Sequence, residues 1–150
     1  MTQKSRVFTR KTALTIVLVC AAVLLGLIFL RWHSASKDDL STPEGRELFL
    51  FNLGWEIDRS TEEHRSVIIP DTLDGVMEDY NAMQLSQGYD LSCHLGEKCE
   101  QYTYHLTNYP GYDGTVLITI YVQGRQIVAG DIHTTALDGF MHGIKRTVEE

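Results

Sequence analysis

Asp131, His133, Asp138 and His142 fall within twelve residues of one another near the C-terminal end of the chain. Imidazole and carboxylate side chains in such proximity suit acid–base chemistry, because histidine titrates near neutrality, and they suit metal binding. Asp131 and His133 are two residues apart, so on a strand they share a face. A second stretch, Asn108-Tyr109-Pro110-Gly111-Tyr112-Asp113-Gly114, is longer than a tight hairpin needs. Pro and Gly stiffen it, and Tyr109 and Tyr112 offer amphipathic contact surface for a ligand or partner. The motifs H-E-x-x-H, G-x-S-x-G, the phosphate-binding loop and paired CxxC do not occur, and no cofactor is implied.

Cys93 and Cys99 bracket the short stretch His-Leu-Gly-Glu-Lys. Outside the cytoplasm they would form a disulfide, adding roughly 2–3 kcal/mol by the chain-entropy argument. Two free thiols are one alternative. A metal set with His94 is another, but the spacing matches no common zinc pattern.

Positioning these residues requires a fold. Thr42-Pro43-Glu44 opens a helix over residues 43–53, with Gly54 as its stop. Trp55 to Asp58 and Arg65 to Ile69 read as two strands paired in a hairpin, with Thr61-Glu62-Glu63 as the turn. A second helix starts at Pro70-Asp71-Thr72. It carries Leu73, Val76, Met77, Tyr80, Met83 and Gln84 as an amphipathic stripe and ends at Gly88. Three strands follow, over residues 100–107, 115–122 and 125–133. The order is helix, hairpin, helix and three-stranded antiparallel meander, an α+β class with helices on one sheet face.

The last pair of strands has two registers. A two-residue Gln123-Gly124 loop puts Asp131 on the apolar side. One residue more sets Val128 and Ile132 on the face of Ile118 and turns Asp131 and His133 to the other face, beside Leu117 and Thr119. The second is the better hydrophobic match.

Ahead of all this, residues 13–30 contain no charged side chain. As a helix they would rise about 27 Å, close to the apolar thickness of a bilayer. Lys4, Arg6, Arg10 and Lys11 precede the run, and all 20 acidic residues follow residue 37. That bias predicts a single-pass transmembrane helix with its N-terminus in the cytoplasm. Trp32 stands where an interfacial anchor belongs, and Cys20 reads as an apolar filler. A cleaved secretory signal is the rival, with Ser34-Ala35-Ser36 as the cleavage site. Signal peptides, however, have apolar cores of about 7–15 residues, shorter than this run. The expected organisation is a basic cytoplasmic tail (1–12), a membrane helix (13–30), a linker (31–41) and one extracytoplasmic domain (42–150). The exported part carries a net charge of about −12, the wrong sign for nucleic acid. The expected partners are the lipid bilayer and a protein or cell-wall component.

Several short patterns add a resemblance. They are Gly54-Trp55-Glu56, Ile69-Pro70, Tyr80-Asn81 with Gln87-Gly88-Tyr89-Asp90-Leu91, and Tyr102-Thr103-Tyr104 with Asn108-Tyr109-Pro110-Gly111-Tyr112. Gly130-Asp131-Ile132 and Leu137-Asp138-Gly139-Phe140-Met141-His142-Gly143 complete the set. Together, over about residues 46–144, they resemble domain-of-unknown-function family 4830, small domains behind one N-terminal membrane segment in clostridia-type Gram-positive bacteria. The resemblance implies an anchored single domain and no particular activity, and Cys93 and Cys99 are not part of it. The expected function is a surface interaction or ligand-sensing module that binds through Tyr109, Tyr112, Asp131, His133, Asp138 and His142. The alternatives are a metal-dependent or acid–base hydrolase using the Asp and His cluster, and a structural accessory subunit of a membrane complex.

Overall fold

The computed structural model describes residues 39–146. The chain folds into α1 (Pro43–Asn52), β1 (Ile57–Ile68), α2 (Val76–Ser86), a short 3-10 turn (Leu91–His94), β2 (Lys98–Leu106), β3 (Val116–Gln123), β4 (Gln126–Thr134) and β5 (Met141–Gly143). The five strands form one antiparallel sheet and lie across it in chain order. The expected cytoplasmic tail and transmembrane helix lie outside the described residues. Among the described residues no helix is long and apolar enough to cross a membrane.

The expected helix–hairpin–helix–meander is corrected in three respects. First, residues 55–69 are not a hairpin. Ile57 and Asp58 pair with Leu106 and His105, and Glu63 through Ile68 pair with Thr103 through Lys98, so one edge strand runs through a bulge. The polar run from Asp58 to Glu63 has turn-like composition but lacks the Gly, Pro or Asn that reverses a chain. Asp58 Oδ1 instead accepts the Ser60 N–H at 2.9 Å, and the Thr61 hydroxyl donates to the Asp58 carbonyl at 2.7 Å. Thr61 Oγ1 also accepts the His105 N–H at 3.0 Å. The groups freed by the bulge are thus satisfied without a turn.

Second, Met141–Gly143 is a further strand, pairing with residues 131–133 of β4. Three residues are too few to show an alternating pattern. Third, the helices cover opposite faces. Leu50 of α1 and Trp55 pack with Tyr104, Ile118, Ile120 and Ile132. Met77 and Tyr80 of α2 pack with Ile69, Leu91, Cys99 and Ala129. The sheet is therefore covered on both sides, by an apolar core under α1 and by a core that includes buried Gln101, Thr119 and Asp131 under α2.

α1 forms as its signals predict. Thr42 Oγ1 accepts the Gly45 N–H at 3.1 Å, Pro43 opens the first turn, and Gly54 follows the end at φ 88°. Leu40, within the expected linker, is already 2 % exposed and packs in the core. Its N–H donates to the Arg125 carbonyl, and Asp39 pairs with the Arg125 guanidinium at 2.6 Å. α2 starts six residues after Pro70, behind Gly75 at φ 51°.

The last turn of α2 reaches the edge of β4 that β5 leaves open. Gln84 Oε1 accepts the Gly130 N–H at 2.9 Å, and its Nε2 donates to the Gly130 carbonyl at 3.1 Å. One side-chain amide thereby replaces a neighbouring strand. Gln87 adds a second donor to the same carbonyl, and its Oε1 accepts the Ile144 N–H at 2.7 Å. Position 130 needs glycine, because a Cβ there would come within 2.8 Å of Ile144 Cδ1.

Candidate functional site

Asp131 and His133 lie on the α2 face. Asp131 sits opposite Thr119, and His133 opposite Leu117. This is the face expected from the better hydrophobic match, and Ile132 joins Ile118 on the other side. Val128 does not join it. A register shift between Tyr121 and Val122 gives β4 an extra residue and turns Val128 toward α2.

The Asp131 carboxylate is 2 % exposed and fully engaged. His133 Nδ1 donates to its Oδ1 at 2.8 Å, and the Tyr80 hydroxyl, from α2, donates to its Oδ2 at 2.6 Å. Burial of a carboxylate is costly unless its lone pairs are met, and here a helix and its own strand meet them. The hydrogen bond to Asp131 raises the His133 pKa above its ordinary value, against the opposing effect of burial. Burial, reinforced by the charge of Asp131, pushes the Tyr80 pKa upward and that of Tyr121 up to about 12. Both phenols therefore remain proton donors at neutral pH. His133 Nε2 has no hydrogen-bond partner among the described residues.

These groups border a half-open cavity of about 520 Å³ between α2 and the sheet. Val67, Ile69, Met77 and Leu91 give it apolar walls; Arg65, Gln101 and Tyr121 contribute polar ones. Arg65, Gln101, Tyr121 and Ala129 occupy one register row across β1 to β4.

The remaining site residues lie elsewhere. His142 pairs with Ile132 and so points to the opposite face from His133. Its Nδ1 donates to the Gly143 carbonyl at 2.8 Å, and its Nε2 accepts the Tyr109 hydroxyl at 2.9 Å. Tyr109 stacks on Trp55 and on Phe140, with ring centroids 5.9 and 5.2 Å apart. Tyr112 meets Phe140 edge-on at 5.5 Å. Tyr109, Tyr112 and His142 thus gather around Phe140. Asp138 is exposed on the loop before β5. The metal arrangement that needs His133 and His142 together is not formed, and no cluster of three potential ligands occurs among the described residues.

Cys93 and Cys99 are free thiols, so the expected bridge is absent from the structure. Cys99 is buried on the α2 face, while Cys93 is exposed on the 3-10 turn with its thiol toward Asp90 Oδ2.

Sequence reasoning assigned Tyr80 and Gln84 to an apolar stripe and did not single out Arg65 or Gln101. A signal existed in part, because a tyrosine on a buried stripe must find a partner for its hydroxyl. No family model, curated protein or solved structure matches the chain.

Proposed function

We propose that the folded domain binds a small molecule in the cavity beneath α2 and is displayed outside the membrane by a single-pass anchor at residues 13–30. The observation that carries the reading is the cavity. Its volume lies in the usual range for ligand sites, and it combines apolar walls with a few convergent polar groups. Ile69, Pro70, Tyr80 and Asp131, four of the residues behind the family resemblance, line it. The uncharged run and the segregation of cations before it from acids after it support the anchor.

Acid–base catalysis is a second reading, favoured by one observation. Asp131 holds His133 by Nδ1 and leaves Nε2 free toward other chemistry, as in a carboxylate-oriented general base. Yet neither serine nor cysteine lines the cavity, and the Thr119 hydroxyl is tied to that of Thr103 at 2.9 Å. Binding therefore fits the side chains better than nucleophilic hydrolysis.

The test uses the full chain in lipid nanodiscs with methyl-labelled methionine. Met77 lines the cavity and Met83 does not. Small apolar acids, amides and amines should include compounds that shift the Met77 methyl resonance and leave Met83 unmoved. Absence of any Met77 shift at millimolar concentration would sink the binding reading.

A further inference from the structure

We infer that the ligand of this cavity carries a carboxylate, held at the β1–β2 end by Arg65 and Gln101. The inference rests on the binding reading above and names its chemical class.

Arg46, Arg59 and Arg125 each have a carboxylate partner within 4 Å. Arg65, like Arg146, has none among the described residues, although the domain is strongly acidic. Its one side-chain partner is neutral: Arg65 Nε donates to Gln101 Oε1 at 2.8 Å. That bond fixes the guanidinium at the cavity wall and leaves both terminal nitrogens as donors.

Gln101 makes the second point. Its side chain is on the covered face, and the residue is only 6 % exposed. A guanidinium nitrogen can only donate, so the Gln101 carbonyl oxygen must face Arg65. The amide NH2 then has no acceptor among the described residues, in a residue that lines the cavity. Thr134 Oγ1 is the one fully buried side-chain polar atom without a partner among the described residues, so the Gln101 NH2 opens onto the cavity, where a bound acceptor can take the place of water.

The inventory at this end is rich in donors: two guanidinium nitrogens, one amide NH2 and, next along the row, the Tyr121 hydroxyl, which can also accept. The acid that lines the cavity, Asp131, has both oxygens occupied already. Three inter-strand spacings separate Arg65 from the β4 pair, roughly 14 Å at normal strand spacing. The head therefore sits at Arg65, and the apolar body packs against Val67, Ile69, Met77 and Leu91. Arginine suits this task because its planar fork matches a carboxylate. A cationic ligand would be repelled there by the Arg65 charge.

Phenylacetate, phenylacetamide and phenethylamine share a shape and differ in charge. Each is titrated into the full chain in nanodiscs, in wild type and in Arg65→Met, with the Met77 methyl resonance as readout. Phenylacetate should bind about tenfold or more tighter than the amide. Arg65→Met should abolish that preference and leave the amide affinity unchanged. Equal affinities for acid and amide, or tightest binding of the amine, would overturn the carboxylate assignment while leaving the cavity as a ligand site. An acid preference that survives Arg65→Met would overturn the placement of the head. If no compound moves Met77, both the assignment and the underlying reading fail.

Discussion

His133 and His142 face each other's strands one position out of step, and that offset puts them in different situations. His142 lies on the α1 face, both ring nitrogens engaged, within a stack of Tyr109 and Phe140. Its surroundings are complete, and it works as a joint between the Tyr109 loop and β5. His133 lies on the α2 face with one nitrogen held by a buried carboxylate and the other without a protein partner. The same residue type serves as structure where its valences are filled and marks a site where one is left open beside a cavity. The two faces of the sheet differ likewise. On the α1 side even the buried Arg46 is satisfied, by Glu62 at 2.8 Å, Tyr104 at 2.7 Å and the Tyr102 ring. On the α2 side Arg65 and Gln101 keep donors unspent.

The contrast is broken or sharpened by substitution. Asp131→Ala should have the largest effect, because it leaves the Tyr80 hydroxyl and His133 Nδ1 without their acceptor. Loss of about 3–5 kcal/mol is expected in urea unfolding of the full chain. His142→Ala should cost clearly less, and equal costs would erase the distinction drawn between the two histidines. Gln84→Leu should cost about 1–3 kcal/mol, because the Gly130 N–H loses its acceptor. Its signature is faster hydrogen exchange at the Gly130 amide with little change at Ile118. Tyr109→Phe removes one hydrogen bond and should cost about 1 kcal/mol, with ligand-induced shifts at Met77 unchanged.

The smallest effect is a pH dependence. The folded pKa of His133 is raised above its unfolded value near 6.5, so the folded state binds the proton more tightly. The stabilisation is full below about pH 6.5 and is lost as pH rises through the folded pKa. Comparing wild type with His133→Gln by urea midpoints from about pH 5 to about pH 9 isolates it. A wild-type advantage that grows with rising pH would reverse the sign and contradict the His133–Asp131 pairing.

Much of this was legible in the sequence. Thr42, Pro43 and Gly54 mark α1 because caps act locally. Val116, Ile118, Ile120 and Val122 mark β3 because alternate residues of a strand share one buried face. That Asp131 and His133 share a face followed from strand parity. Other features depend on distant contacts and leave no local trace. Nothing near Asp58 says that Thr61 will capture the His105 N–H and keep the chain extended. Nothing near Gln84 says that its amide will stand in for a strand at Gly130. Arg65 looks like an ordinary edge-strand charge until its neighbours are known, and an unfilled donor is visible only by its missing partner.

The way α2 is fastened has a mechanical meaning. Its last turn is bolted to the β4 edge by Gln84 and Gln87, while its first turn begins at Gly75 with no side-chain cap. The helix is a lever with a fixed fulcrum at its C-terminal end. Its other arm carries Met77 over the cavity and is tied down by the Tyr80–Asp131 bond, so that bond is the latch that any widening of the space beneath would have to open.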